Sequence, residues 1–152
     1  MANNTPYSKI YVPNVGKWDN ISSQLQLNNL SVGSGTVEAQ ITRTGQTVSG
    51  YMVLTLGTGF SIGTNPSFTL PYPLSNSREA IGWMGSVYDA STGDEYVISG
   101  YGISTTEIGF RMHEKSVSKN VLLVSLTSTD PIVFTSGDKI SLTGTYKVAD
   151  GY

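Results

Sequence analysis

Alternation of apolar and polar residues at every second position, in short runs separated by glycine, dominates the chain from Ser34 to Tyr152. Val37-Glu38-Ala39-Gln40-Ile41-Thr42 and Ile140-Ser141-Leu142-Thr143-Gly144-Thr145-Tyr146 are two clear cases. A period of two belongs to a β-strand with one face buried, because successive side chains leave a strand on opposite sides. A helix would need a period near 3.6, and no sustained run of that kind is present.

The runs can be followed along the chain. Thr36 to Thr42 leads through Arg43-Thr44-Gly45-Gln46, a hairpin loop with glycine as its φ > 0 residue. Thr47 to Leu56 is apolar on both faces, as expected of a central strand. Phe68-Thr69-Leu70 stops at Pro71-Tyr72-Pro73, since proline cannot donate to a ladder. Ala80 to Tyr88 and Tyr96 to Ile103 form a second hairpin around Asp89-Ala90-Ser91-Thr92-Gly93-Asp94. Glu107 to His113 follows, with Ile108, Phe110 and Met112 inward and Arg111 and His113 outward. Asn120 to Thr127 and Lys139 to Val148 complete the set, separated by turns at Thr129-Asp130-Pro131 and Ser136-Gly137-Asp138. Strands at this spacing predict an all-β antiparallel two-sheet sandwich of jelly-roll type, with a β-barrel as the alternative.

Residues 1 to 33 differ. They are rich in Asn and Ser, carry Pro6 and Pro13, and scatter Tyr7, Ile10, Tyr11, Val12, Trp18, Ile21, Leu25, Leu27 and Leu30 without a sustained period. A disordered tail has fewer large apolar residues than this. The division predicted is an N-terminal arm over 1–33, packed on its own domain or on a neighbour, and a sandwich over 34–152. A first strand or two of the same sheet is the competing reading of the arm, since Leu25-Gln26-Leu27 does alternate.

Composition narrows the functional classes. A chain of 152 residues can bury about 70% of its extended surface, enough for a core without staples. It has no cysteine, so neither a disulfide framework nor a thiolate metal site is possible. A formal charge of -2 and 13% charged residues, with no Lys/Arg cluster, argue against nucleic acid as a partner. Ser and Thr make up about a quarter of the chain, which solubilises a β surface without charge. Met1 to Pro6 show no signal-peptide pattern, and Val121-Leu122-Leu123-Val124 is far shorter than the ~20 residues a membrane helix needs. A soluble product made in the cytoplasm, with no membrane partner, is expected.

No catalytic constellation stands out. His113, the one histidine, sits on an outward strand position, and no Gly-x-Ser-x-Gly elbow accompanies it. Asp89 to Glu95 gathers carboxylates around a glycine, but it lacks the oxygen count and spacing of a Ca²⁺ loop. It reads as a turn whose Asp and Ser side chains cap backbone N–H groups. No phosphate loop is present. The expectation is a protein that is not an enzyme, with no cofactor and no metal. Sugar binding needs exposed rings, and Trp18, Trp83 and several tyrosines are candidates for stacking. Trp83, between Gly82 and Gly85, is expected in the core.

One further pattern is the order of five short motifs. Gly35-Thr36, Arg43-Thr44-Gly45-Gln46-Thr47-Val48, Phe68-Thr69-Leu70-Pro71, Asp89-Ala90-Ser91-Thr92-Gly93 and Phe134 to Tyr146 follow one another. In this order they resemble small virion β-sandwich proteins of tailed bacteriophages, the capsid decoration (cement) and minor tail proteins. The resemblance covers 34–152 and implies a virion structural role and homotrimers, without carrying over any catalytic residue. The function expected is a capsid decoration protein, made in the host cytoplasm and bound to the major capsid protein through its arm and sandwich. Tyr7, Ile10, Tyr11, Val12 and Trp18 are the expected contact residues. The alternative is a receptor- or glycan-binding tail-tip or tail-fibre protein that uses loops around Asn65, Asn76 and Asp94.

Overall fold

The computed structural model describes residues 18–77, 82–115 and 121–152. Among them more than half lie in strands and none in an α-helix, so the all-β expectation holds. The strands are β1 (Asp19–Asn20), β2 (Leu27–Ser31), β3 (Thr36–Thr44), β4 (Thr47–Thr55), β5 (Ser61–Thr69), β6 (Met84–Tyr88), β7 (Glu95–Gly102), β8 (Glu107–Lys115), β9 (Val121–Ser125) and β10 (Lys139–Lys147). Every pairing is antiparallel, and the order is β1-β3-β4-β10-β6-β7-β8-β5-β2, with β9 added beside β8.

Hydrogen bonding therefore runs unbroken through one sheet, which curls into a half-barrel, where the strand pattern had predicted two separate sheets. β10 is the reason for the continuity. It pairs with β4 along its whole length and with β6 from Lys139 to Thr143.

The two ends of the sheet order, β1 and β2, are close in the chain, and the segment between them ties both ends of the sheet together. Ile21 N donates to Ala39 O on β3 at 2.9 Å, and Thr69 N on β5 donates to Gln26 O at 2.9 Å. Between these anchors the chain makes a single tight turn, with Gln24 N and Leu25 N both donating to Ile21 O. Asp19–Asn20 and Leu27–Ser31 thus belong to the sheet, as the reading of a first strand or two has it. The alternation is hidden there for a physical reason. β1 is too short to show a period, and β2 shifts register between Asn28 and Leu30, where Asn29 takes a φ of 50°. Across that shift β2 advances two residues while β5 advances five, from Ser67 to Ile62, and the two-residue rhythm is broken. Tyr7, Ile10, Tyr11 and Val12 lie outside the described residues.

Alternation then fills one core. Val48, Met52 and Leu54 of β4, Ile108, Phe110 and Met112 of β8, and Ile140, Leu142 and Tyr146 of β10 are all buried. Arg111 and His113 take the opposite face, as the period requires. Phe68 contacts both Trp83 and Phe110 with ring centroids 5.9 Å apart, and Trp83 also meets Tyr146 at 6.0 Å. Tilted arrangements of this kind suit the ring quadrupoles. Trp83 is 3% exposed, as expected from its sequence setting, and its indole N–H has no hydrogen-bond partner among the described residues. Its role is volume. The indole lies flat over β10 at Gly144, where a Cβ would come within 2.4 Å of the ring.

β5 and β9 share the same edge of β8. β5 pairs with Glu107 to Gly109, and β9 takes over from Arg111. The strands part at Asn65-Pro66, where a φ of 50° and a missing N–H end the ladder. Ser125 Oγ donates to Asn65 Oδ1 at 3.0 Å and closes the fork.

Gly144→Ala places a methyl group against Trp83 in a filled core, so unfolding free energy should fall by about 1–3 kcal/mol. Urea denaturation monitored by tryptophan fluorescence measures this, and an unchanged midpoint would show that the indole is free to shift.

Candidate functional site

With the inner face filled, chemistry is left to the outer face, the loops and the edges. The residues of the glycan-binding alternative lie on different elements, Asn65 within β5, Asn76 between β5 and β6, and Asp94 between β6 and β7. Asp94 closes the β6–β7 hairpin beside Tyr88, which pairs with Lys139 at the start of β10. Asn76 follows Ser75, whose N–H donates to Lys147 O at the other end of β10. Those ends are separated by about 27 Å of strand. Asn65 sits at the β5–β9 fork, occupied by Ser125. All three are exposed.

Two of the sequence motifs do converge, through a residue whose role the sequence did not reveal. Asp138 is fully buried. Its Oδ1 accepts from Ala90 N at 2.9 Å, and its Oδ2 accepts from Thr135 N at 2.6 Å and from Thr135 Oγ1 at 3.3 Å. Its backbone carbonyl accepts from Leu56 N at 2.8 Å. The Phe134–Tyr146 motif is thereby fastened to the Asp89–Gly93 hairpin. A buried carboxylate needs such donors, because an unpaired buried charge is costly. The only sequence signal was a Gly-Asp turn, common in any loop.

The Asp89 loop is a turn, as its composition suggested. Asp89 Oδ1 accepts from Ser91 N at 2.8 Å, Ser91 Oγ at 2.6 Å and Thr92 N at 3.3 Å. The bond from the Ser91 hydroxyl is the main cause that holds the Asp89 carboxyl below its ordinary value of 3.8, followed by the Ser91 backbone bond. No group of three or more metal-ligating side chains occurs among the described residues.

His113 is more than a solvated imidazole. Its Nε2 lies 3.2 Å from Ser99 Oγ across β7 and β8. A catalytic hydroxyl would also need a carboxylate on the second imidazole nitrogen and aligned oxyanion donors. Among the described residues no carboxylate hydrogen-bonds this ring. On the same outer face Arg111 lies 3.8 Å from the centroid of the Tyr101 ring. Glu107 Oε1 accepts from Asn28 Nδ2 at 2.9 Å and from Ser67 Oγ, stitching β2, β5 and β8 together. These are cross-strand contacts that stabilise a sheet.

A different part of the outer face carries an exposed aromatic pair. Trp18 precedes β1, which pairs Asp19 with Ile41 and Asn20 with Gln40. The indole is 50% exposed and meets Tyr51 of β4 with centroids 6.0 Å apart at 51°. Tyr51 points outward because Gly50 and Met52 point in. Register places Gln40, Tyr51 and Thr143 in one row and Thr42, Ser49 and Thr145 in the next. Ser49 Oγ and Thr145 Oγ1 are 2.8 Å apart, and Thr143 Oγ1 donates to Gly50 O at 3.2 Å. One expected contact residue, Trp18, is thus held by its own sheet. It was found from its aromatic character alone; its partner Tyr51 was hidden in a strand that looked apolar on both faces.

Compared with known proteins, the chain matches no family model, no curated protein and no solved structure.

Because the folded carboxyl of Asp89 is lowered, the bond's contribution is present above pH 3.8 and lost as pH falls through the lower folded value. In Ser91→Ala the Asp89 carboxyl, followed by carbon-detected NMR, should titrate closer to 3.8 than in the parent. Identical titration curves would contradict the assignment.

Proposed function

We propose that this chain is a structural protein of a tailed-phage particle, a decoration protein that binds and reinforces the major capsid lattice as a homotrimer. The observation that carries the reading is the ordered set of motifs that resembles small virion β-sandwich proteins, together with where those motifs fall. Gly35-Thr36 lies at the entry to β3, Arg43 to Val48 at the β3–β4 hairpin, Phe68 to Pro71 at the end of β5, and the last two motifs at the Asp138 clamp. They are the joints of the scaffold, so the resemblance speaks to architecture and assembly.

The fold reading carried with this proposal is a jelly-roll derivative. β4 pairs with β10, β5 with β8, and β6 with β7, a nested set as in a long hairpin rolled on itself. In this proposal the segment that reaches a neighbour is 1–17, rooted where Trp18 meets the sheet. Tyr7, Ile10, Tyr11 and Val12 supply apolar contacts worth about 25 cal/mol per Å² buried, multiplied by the symmetry of a shell. Extended segments that meet sheet edges also gain main-chain hydrogen bonds.

A full-length variant with Tyr7, Ile10, Tyr11 and Val12 all replaced by alanine should keep the thermal midpoint of the parent and lose occupancy on shells prepared without the protein. Sedimentation of the shells followed by gel densitometry reads this directly. Occupancy equal to the parent's would overturn the proposal.

A further inference from the structure

We propose that the Trp18–Tyr51 corner and the hydroxyl rows beside it form a binding site for a neutral polysaccharide. This goes beyond the capsid-binding role and does not use residues 1–17.

The argument begins with exposure. Trp18 is half exposed although it is already packed against Tyr51 of its own sheet. The remaining ring surface is therefore available without any part of the core opening. The indole and phenol planes are tilted by 51° and open an aromatic corner onto the sheet. An aromatic ring presents a weakly negative face, to which the C–H groups of a sugar ring are suited, and tyrosine adds a polar handle.

The chemistry around the corner selects the occupant. Register sets Gln40 beside Tyr51 and Thr42 beside Ser49, with Thr145 on the far side of Ser49. All of these are uncharged groups that both donate and accept. The first carboxylate along that face of β3, Glu38, lies one row beyond Gln40. Ser49 and Thr145 hold each other at 2.8 Å, which fixes the two oxygens while leaving each further lone pairs. A strand surface also repeats at a fixed spacing, so an extended polymer can lie along it. A charged polymer would find no counter-charge on Gln40, Tyr51, Thr42, Ser49 or Thr145, the nearest cation along that face of β10 being Lys147, one row beyond Thr145. A neutral polyol matches both the ring and the rows.

Other surfaces carry less. Met84 and Val97 are exposed on β6 and β7, but nothing nearby defines what would cover them. The crevice of about 90 Å³ between Gln24, Leu25, Thr69 and Pro71 is a gap at the seam where the ends of the sheet are joined.

The test is native affinity electrophoresis of the full-length protein in gels containing dextran, a mannan, a galactan or a soluble β-glucan, with thermal midpoints measured in parallel. At least one of these neutral polymers should retard the parent. Trp18→Ala and the double variant Ser49→Ala/Thr145→Ala should each weaken that retardation about tenfold or more, as hot-spot contacts do. Val97→Ala, on another part of the outer face, should leave it unchanged. Retardation by none of the polymers, or retardation equal to the parent's in Trp18→Ala, would overturn the proposal. So would a Trp18→Ala protein that keeps polysaccharide binding and loses shell occupancy, which would make the corner a protein contact. Loss of polysaccharide binding with full shell occupancy supports the site and leaves the decoration role standing on its own test.

Discussion

β10 hydrogen-bonds on both of its edges, to β4 from Lys139 through Lys147 and to β6 from Lys139 through Thr143. The rest of the molecule depends on that double pairing. Without it the sheet would divide into β1-β3-β4 on one side and β6-β7-β8-β5-β2 on the other, with no ladder joining the two parts. With it, one sheet turns its apolar rows toward a single core, and Trp83 lies across β10 at the one residue, Gly144, that leaves room for it. The link from sequence to packing here is a side chain that is absent. The Ile21–Gln26 turn then holds the two ends of the sheet to each other by backbone bonds to Ala39 and Thr69.

That arrangement uses up the inner face and most of the main chain, so function has to come from what is left. The outer face is built largely from hydroxyls and amides that bond across strands, as Ser86 does with Ser141 at 3.1 Å and Ser49 with Thr145 at 2.8 Å. Groups paired in this way stiffen a sheet and present a patterned, neutral surface. The strongest polar cluster, Asp138 with Ala90 and Thr135, lies inside and joins two loops. Such an architecture fits a protein whose work is contact, and it is the physical content of the decoration proposal.

Much of the fold was legible in the sequence, and the exceptions have causes. β3, β8 and β10 were readable because each keeps alternation with one wet face, and β4 because it is a continuous apolar run bounded by turns. β2 was missed because its core-side residues, Leu27 and Leu30, are three apart across Asn29, whose φ of 50° breaks the alternation. The first half of β5, Ser61 to Pro66, was missed because its residues are small, polar and mostly exposed, so burial leaves no mark there. Continuity of the sheet could not be read at all, since it depends on which strands β10 meets and not on any local pattern. The site was less legible than the fold. Trp18 drew attention as an aromatic outside the periodic region, yet its partner Tyr51 is distant in sequence and is brought near by register. Asn65, Asn76 and Asp94 looked equivalent as loop residues, and the fold sets Asn65 in β5 and the other two in separate connections.

The central claim is that this protein is a repeated component of a phage shell and acts through its outer surface and leading segment. Quantitative mass spectrometry of purified particles measures it most directly, as copies of this chain per copy of the major shell protein. A fixed ratio approaching the shell protein's own abundance is the result the account predicts. Trace amounts at the level of a tail component, or absence from particles altogether, would contradict it.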